Sequence, residues 1–185
     1  MLVSAGTTPW LTSGKTIGLF QNPTTQGMTA LDTPISEPNF IPFESFEVGQ
    51  TQSFGAYEVT EQEIVEFARK YDPQFFHIDP EAAKKSLFGG LCASGWHTCA
   101  MTMSMLVENM ASKGTTSLGS PGIDQLKWLR PVYPGDVLSV HMEVLETNPS
   151  KSRPTIGIIV SKVTVSNQNE TAVMEFISKG IFPRS

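Results

Sequence analysis

A chain of 185 residues with 39% hydrophobic and 17% charged side chains has an ordinary composition for a globular domain and is long enough to enclose one substantial core. Its formal net charge of −5 gives no electrostatic reason to expect nucleic acid or an anionic membrane as partner. No run of residues is apolar for long enough to span a bilayer.

Residues 1–40 are rich in Thr, Ser, Gly and Pro and show no sustained periodicity, which predicts a flexible N-terminal extension ahead of a domain over 41–185. They lack the apolar stretch behind positive charge that a secretory signal needs. Lys15 is the only basic residue in Met1–Leu31, against a mitochondrial transit peptide, and Met28 is an alternative start.

The domain opens near Phe43. Thr60-Glu-Gln-Glu63 has the pattern of a capping box, and Ile64, Phe67, Ala68 and Tyr71 repeat at helical spacing behind it. Pro73 ends that helix. The segment Asp72-Pro-Gln-Phe-Phe-His77-Ile-Asp79-Pro80 cannot be one regular helix, because Pro73 and Pro80 interrupt it. A carboxylate and an imidazole on one short, stiffened loop reach a common volume, the minimum equipment for moving protons on and off a substrate. Read locally, Asp72 fits a turn residue before Pro73 equally well, and His77 an exposed loop histidine. Pro80-Glu-Ala-Ala-Lys-Lys predicts a further short helix.

Gly89-Gly90 marks a break, after which Ser94 caps a long helix from Gly95 to about Ser112, stopped by Lys113-Gly114. Its residues Trp96, Cys99, Met101, Met103, Met105, Leu106, Val107 and Met110 make it apolar on nearly all sides, which predicts a buried helix. Were Cys92 and Cys99 on that one helix, the rise between them would be roughly 10 Å, beyond the roughly 7 Å reach of a disulfide. They read as buried thiols in a reducing, cytoplasmic compartment. Their spacing with His77 and His97 is a poor zinc signature, so no metal site is expected. His97 reads as packed within the first helical turn.

From Ile123 the period changes to two. Leu138, Val140, Met142 and Val144 alternate with Ser139, His141 and Glu143, so His141 should face solvent. Similar runs occupy about 123–132, 154–166 and 171–182. Pro134-Gly135 suits a type II turn between the first two strands, and Asn167-Gln-Asn-Glu170 turns between the last two. The economical architecture is α+β, an antiparallel sheet curved around the long helix.

The ordered pattern of helix, Asp-x4-His loop, small-Gly step (Ser94-Gly95), long helix, and strands carrying Leu129-Arg-Pro-Val-Tyr-Pro-Gly-Asp136 resembles the MaoC-like (R)-specific enoyl-CoA hydratases over roughly residues 43–183. That resemblance implies a single hotdog fold, acting as a homodimer or higher homo-oligomer. It implies a lyase that reversibly hydrates a trans-2-enoyl-CoA, or dehydrates an (R)-3-hydroxyacyl-CoA. Coenzyme A is then part of the substrate and no separate cofactor is expected. By position the catalytic Asp falls on Asp72 and the catalytic His on His77, and the glycine whose amide faces the thioester oxygen falls on Gly95. Ser94, Gln74 and Trp96 stand beside it as oxyanion or substrate-binding candidates. Gln74-Phe75 replaces the family's usual Asn-Pro, Ser94 its usual His, and Met103 aligns with a family serine.

Histidine's unperturbed pKa of about 6.5 suits proton exchange near neutral pH. A helix N-terminus at Gly95 would present a donor to an oxygen gaining negative charge. Lys84, Lys85, Lys127 and Arg130 are candidates for the phosphates of coenzyme A. Two alternatives stand: a hotdog thioesterase, for which the helix offers only the distant Glu108, and a non-catalytic acyl-thioester-binding subunit.

Overall fold

Strands β1 (Thr51–Glu58), β2 (Gly119–Trp128), β3 (Val137–Pro149), β4 (Ile156–Ser166) and β5 (Ala172–Pro183) form one antiparallel sheet in the order β1-β3-β4-β5-β2. The structure is a computed structural model that describes residues 38–185. The expected N-terminal extension therefore lies, up to residue 37, outside the described residues, as does Met28. At residue 40 the chain already belongs to the domain, since Phe40 bridges to Thr116.

The alternation read in the sequence sets which side of β3 is inward: Leu138, Val140 and Val144 are buried while His141 is exposed. Helix α4 (Gly95–Ala111) lies across this inner face. Its Met101 and Met105 pack with Leu138 and Val140 of β3, Val163 and Val165 of β4, and Met174 and Phe176 of β5. Each such side chain contributes about 1.5–3 kcal/mol when removed from water. This is the α+β arrangement of a sheet wrapped around one helix. A smaller cluster of Phe43, Val144, Ile159 and Phe182 closes the far end of the sheet, with Ile41 and Phe46 against it.

The turns follow the sequence chemistry. Gly135 has φ +87° and Asp136 N–H donates to Tyr133 O (3.1 Å), the geometry Pro-Gly favours in a type II turn. Lys113-Gly114 ends α4 with Gly114 at φ +63°. The strand expected over 123–132 instead spans Gly119–Trp128; Leu129 and Arg130 still donate to Val173 O of β5, and Pro131, which has no N–H to give, ends the pairing.

Two elements depart from expectation. Strand β1 was not foreseen: Gly55 and Ala56 interrupt its alternation, and its register with β3 shifts between Phe54 and Tyr57. Helix α4 is not buried all round. Trp96, Met103 and Val107 are half exposed or more, while Thr98, Thr102 and His97 lie inward. The two threonines tolerate the interior because their hydroxyls donate to main-chain carbonyls one turn back, Thr98 to Ser94 O (3.4 Å) and Thr102 to Thr98 O (2.8 Å). One sheet covers only one side of the helix, and the apolar residues on the other side stay open.

Gly55 combines a left-handed backbone (φ +85°) with Met105 packed where a Cβ would stand. Gly55→Ala should destabilise the domain by about 2 kcal/mol through backbone strain and displacement of Met105. A lowered urea midpoint with an unchanged slope is the expected result; an unchanged midpoint would show that the bulge relaxes freely.

Candidate active site

The loop that carries the candidate pair is built by successive helix ends. Thr60 caps α1 (Glu61–Tyr71) by accepting the Glu63 N–H (3.3 Å), and Asp72 closes the helix with its own N–H on Ala68 O (2.8 Å). The segment then makes one turn of helix, α2 (Phe75–Ile78), which carries His77. Asp79 caps the next turn, α3 (Pro80–Ala83), through the amides of Glu81 (2.9 Å) and Ala82 (3.0 Å). Asp79 is thus committed to local structure and Asp72 is not.

Asp72 and His77 converge as their spacing suggested. His77 Nε2 lies 3.5 Å from Asp72 Oδ2, with the imidazole 7% and the carboxylate 23% exposed. His77 Nδ1 donates to the carbonyl of Cys92 (2.7 Å). A carbonyl can only accept, so Nδ1 carries a proton, and Nε2 is the nitrogen left to exchange one. Gln74 Nε2 donates to Asp72 Oδ1 (2.8 Å), and the Ser94 hydroxyl donates to Asp72 Oδ2 (2.7 Å). Burial alone would push the Asp72 carboxyl up; the Ser94 and Gln74 hydrogen bonds and the facing His77 outweigh it and hold it below its ordinary value. Cys92 Sγ, 3.8 Å from His77 Nδ1, is pushed by burial to about 11 and stays a neutral thiol.

Gly95 opens α4 directly after Ser94, at the position whose amide has no partner inside the helix. The Trp128 indole of β2 covers its Cα, so that a Cβ would overlap the ring. Close approach of Trp128 is therefore what demands glycine here. Trp96 is 60% exposed and meets Trp128 edge to face at 5.5 Å. Beside them the chain segment before α4 runs along residues 128–133: Ala93 N–H donates to Val132 O (2.8 Å) and Tyr133 OH to Phe88 O (2.8 Å). Sequence reasoning missed both Trp128 and the Cys92 carbonyl, the first because it sits on a distant strand, the second because a main-chain acceptor leaves no mark in side-chain identity.

Of the basic candidates, Lys84 pairs with Glu81 (2.6 Å) and Lys127 with Glu175 (2.9 Å). Lys85 and Arg130 have no ion pair among the described residues. Glu108 lines a separate hollow with Ala56, Tyr57, Glu58 and Met105. Among the described residues no three His, Cys, Asp or Glu side chains converge as metal ligands, and no helix is long and apolar enough to cross a membrane.

His97 belongs to a second polar cluster. It is 3% exposed, stacks on Phe67 at 4.6 Å, and points Nε2 at Glu63 Oε1 (3.7 Å). Tyr57 OH donates to that same Glu63 oxygen, and burial with the neighbouring carboxylate pushes Tyr57 up to about 12. Glu63 is thereby drawn away from Thr60, leaving only half of the predicted capping box. These residues line a cavity of about 340 Å³ that includes neither Asp72 nor His77.

Residues 44–167 match the family described as MaoC like domain. The uncharacterized protein YdeM of Bacillus subtilis is 31% identical over 71% of this chain and 92% of its own length. A 3-hydroxybutyryl-CoA dehydratase of Methylorubrum extorquens is 26% identical over 69% of this chain and 78% of its own. The crystal structure of a MaoC-like dehydratase from Rhodospirillum rubrum superposes with a TM-score of 0.69 at 39% identity, covering 78% of this chain and 98% of that one.

Burial holds His97 below its ordinary pKa, with Glu63 opposing only in part. The unfolded chain then takes up a proton near pH 6.5 that the folded chain refuses. Stability should be full above about pH 6.5 and fall as the pH drops toward the folded value. His97→Phe, which keeps the stack on Phe67, should flatten that decline. Melting temperatures of both proteins between pH 8 and 5 test this; an equal decline in each would show that His97 is not its source.

Proposed function

This chain belongs to the MaoC-like domain family, and on that premise we propose that it is a hydro-lyase that reversibly adds water to a trans-2-enoyl-CoA, giving the (R)-3-hydroxyacyl thioester. The observation that carries the proposal is the pinning of His77 by the Cys92 carbonyl. It leaves Nε2 facing Asp72 Oδ2 at 3.5 Å. A carboxylate and an imidazole that share one edge in this way can accept the two hydrogens of a water brought to that edge, or hold a proton between them. The 3-hydroxybutyryl-CoA dehydratase similarity supports the same class of chemistry.

In the forward direction Asp72 accepts one hydrogen bond from the water and His77 Nε2 takes its other proton. The water oxygen bonds to C3, and the electron pair of the double bond moves through C2 onto the thioester oxygen. Nε2 then returns the proton to C2, and neutral His77 is restored with all atoms accounted for. Asp72 holds the imidazolium by its opposite charge in between. The amide of Gly95, at the positive end of α4, is assigned to the oxygen that gains charge; a donor in that role contributes roughly 2.7–4 kcal/mol to the barrier. Lys85 and Arg130 are assigned to the phosphates of coenzyme A, which enters as part of the substrate. Glu108, the carboxylate a thioesterase would need on α4, lies in its own hollow.

We further infer a homodimer. Strand β2 pairs on one side only, and Trp96, Met103 and Val107 leave an apolar face on α4. Sedimentation should give twice the 20.2 kDa chain mass; a monomer at micromolar concentration would reject this.

The hydratase reading predicts that the protein consumes the conjugated double bond of a short enoyl-CoA without releasing thiol. Asp72→Asn and His77→Gln should each lower the rate by at least about 100-fold with melting temperatures near wild type. Thiol release without hydration would indicate a thioesterase. Binding without turnover would indicate a carrier of acyl thioesters.

A further inference from the structure

Ser94 stands where the hydroxyl count decides its role. It has one proton to give, and that proton is on Asp72 Oδ2 (2.7 Å). One of its lone pairs accepts the Trp96 N–H (3.3 Å), the capping bond that starts α4. No donor remains for a substrate oxygen. Asp72 is equally constrained, with Oδ1 held by Gln74 (2.8 Å) and one side of Oδ2 by Ser94. Oδ2 is also the oxygen that faces His77 Nε2, at 3.5 Å.

We propose, resting on the hydratase reading, that Ser94 is a positioning residue: its hydroxyl ties the Asp72 carboxylate, through Oδ2, to the N-terminus of α4 and so holds the oxygen that His77 Nε2 faces. This role differs from the substrate contact its sequence position suggested. Serine suits this step because one short side chain serves both the carboxylate and the helix start. A histidine there would need a ring nitrogen aimed at the carboxylate; a serine reaches it while capping its own helix.

The groups bearing on Asp72 are few. Helix α2 presents His77, and the segment entering α4 presents only Ser94 and, behind His77, the neutral Cys92 thiol. Lys70, nearby on α1, lies over the Tyr71 ring at 5.0 Å. Removing the Ser94 hydroxyl therefore takes away a specific contact that favours the ionised carboxylate, with burial and His77 unchanged.

Three variants test this. Ser94→Ala removes hydroxyl and cap together; Ser94→Gly removes the hydroxyl while glycine remains a tolerable helix cap; Ser94→Thr keeps both. The Asp72 carboxyl carbon is followed by carbon-13 NMR across pH, assigned by its absence in Asp72→Asn. In the alanine and glycine variants it should titrate at higher pH than in wild type, and kcat for hydration should fall about ten-fold or more with KM little changed. Threonine should restore both. An unmoved titration, or a moved titration with kcat intact, overturns the positioning role. The NMR arm reads out whether or not the wild-type protein hydrates enoyl thioesters, so a failure of the hydratase reading shows separately, as wild-type inactivity.

Discussion

The contact between Gly95 and the Trp128 indole fixes where α4 begins, and the rest of the site is measured from that point. With the Ala93 amide on Val132, it seats the helix start against the sheet's edge strand and the segment that follows it. From there Met101 and Met105 run into the sheet and form the core. The cap residue, one position before the glycine, reaches the carboxylate on the far side. A core of side chains and a site of polar groups thus share one rigid origin, and a site on rigid elements keeps its geometry better than one on loops alone.

The polar groups are sorted into two sets that do not mix. Around Asp72 every partner supports the ionised carboxylate, so burial fails to neutralise it. Around His97 burial prevails and the ring is held neutral, with Glu63 shared between it and Tyr57. Both sets begin on α1 and end within the first turn of α4. What separates them is the face of α4 they meet: Ser94 at the cap, His97 among the inward residues of the helix.

Much of this was legible in residue types. The Pro-bounded Asp-x4-His segment, the Ser94 cap and the β-period from Ile123 each state local chemistry that the chain obeys. Strand β1 was not legible, because Gly55 and Ala56 break its alternation at a bulge. The one-sided burial of α4 was hidden for a different reason. Thr98 and Thr102 look solvent-seeking, yet they satisfy their hydroxyls on their own helix and turn inward, while Met103 and Trp96 turn out. The Cys92 carbonyl was beyond reach altogether, since every residue type except the chosen backbone path would offer it equally. Ser94 lay between these cases: its place was evident, but its contact with Asp72 depends on how α1 ends.

The partner of His77 Nδ1 is an uncharged dipole. In relays where a carboxylate occupies that place, full negative charge behind the ring strengthens it as a base for one direction of attack. Here the only full charge near the ring lies on its other edge, at Asp72. The proposed hydration would confine proton traffic to that single edge. By microscopic reversibility the same edge would then serve water leaving as well as water arriving. On the hydratase reading, net direction would be set by the supply of thioester at either end.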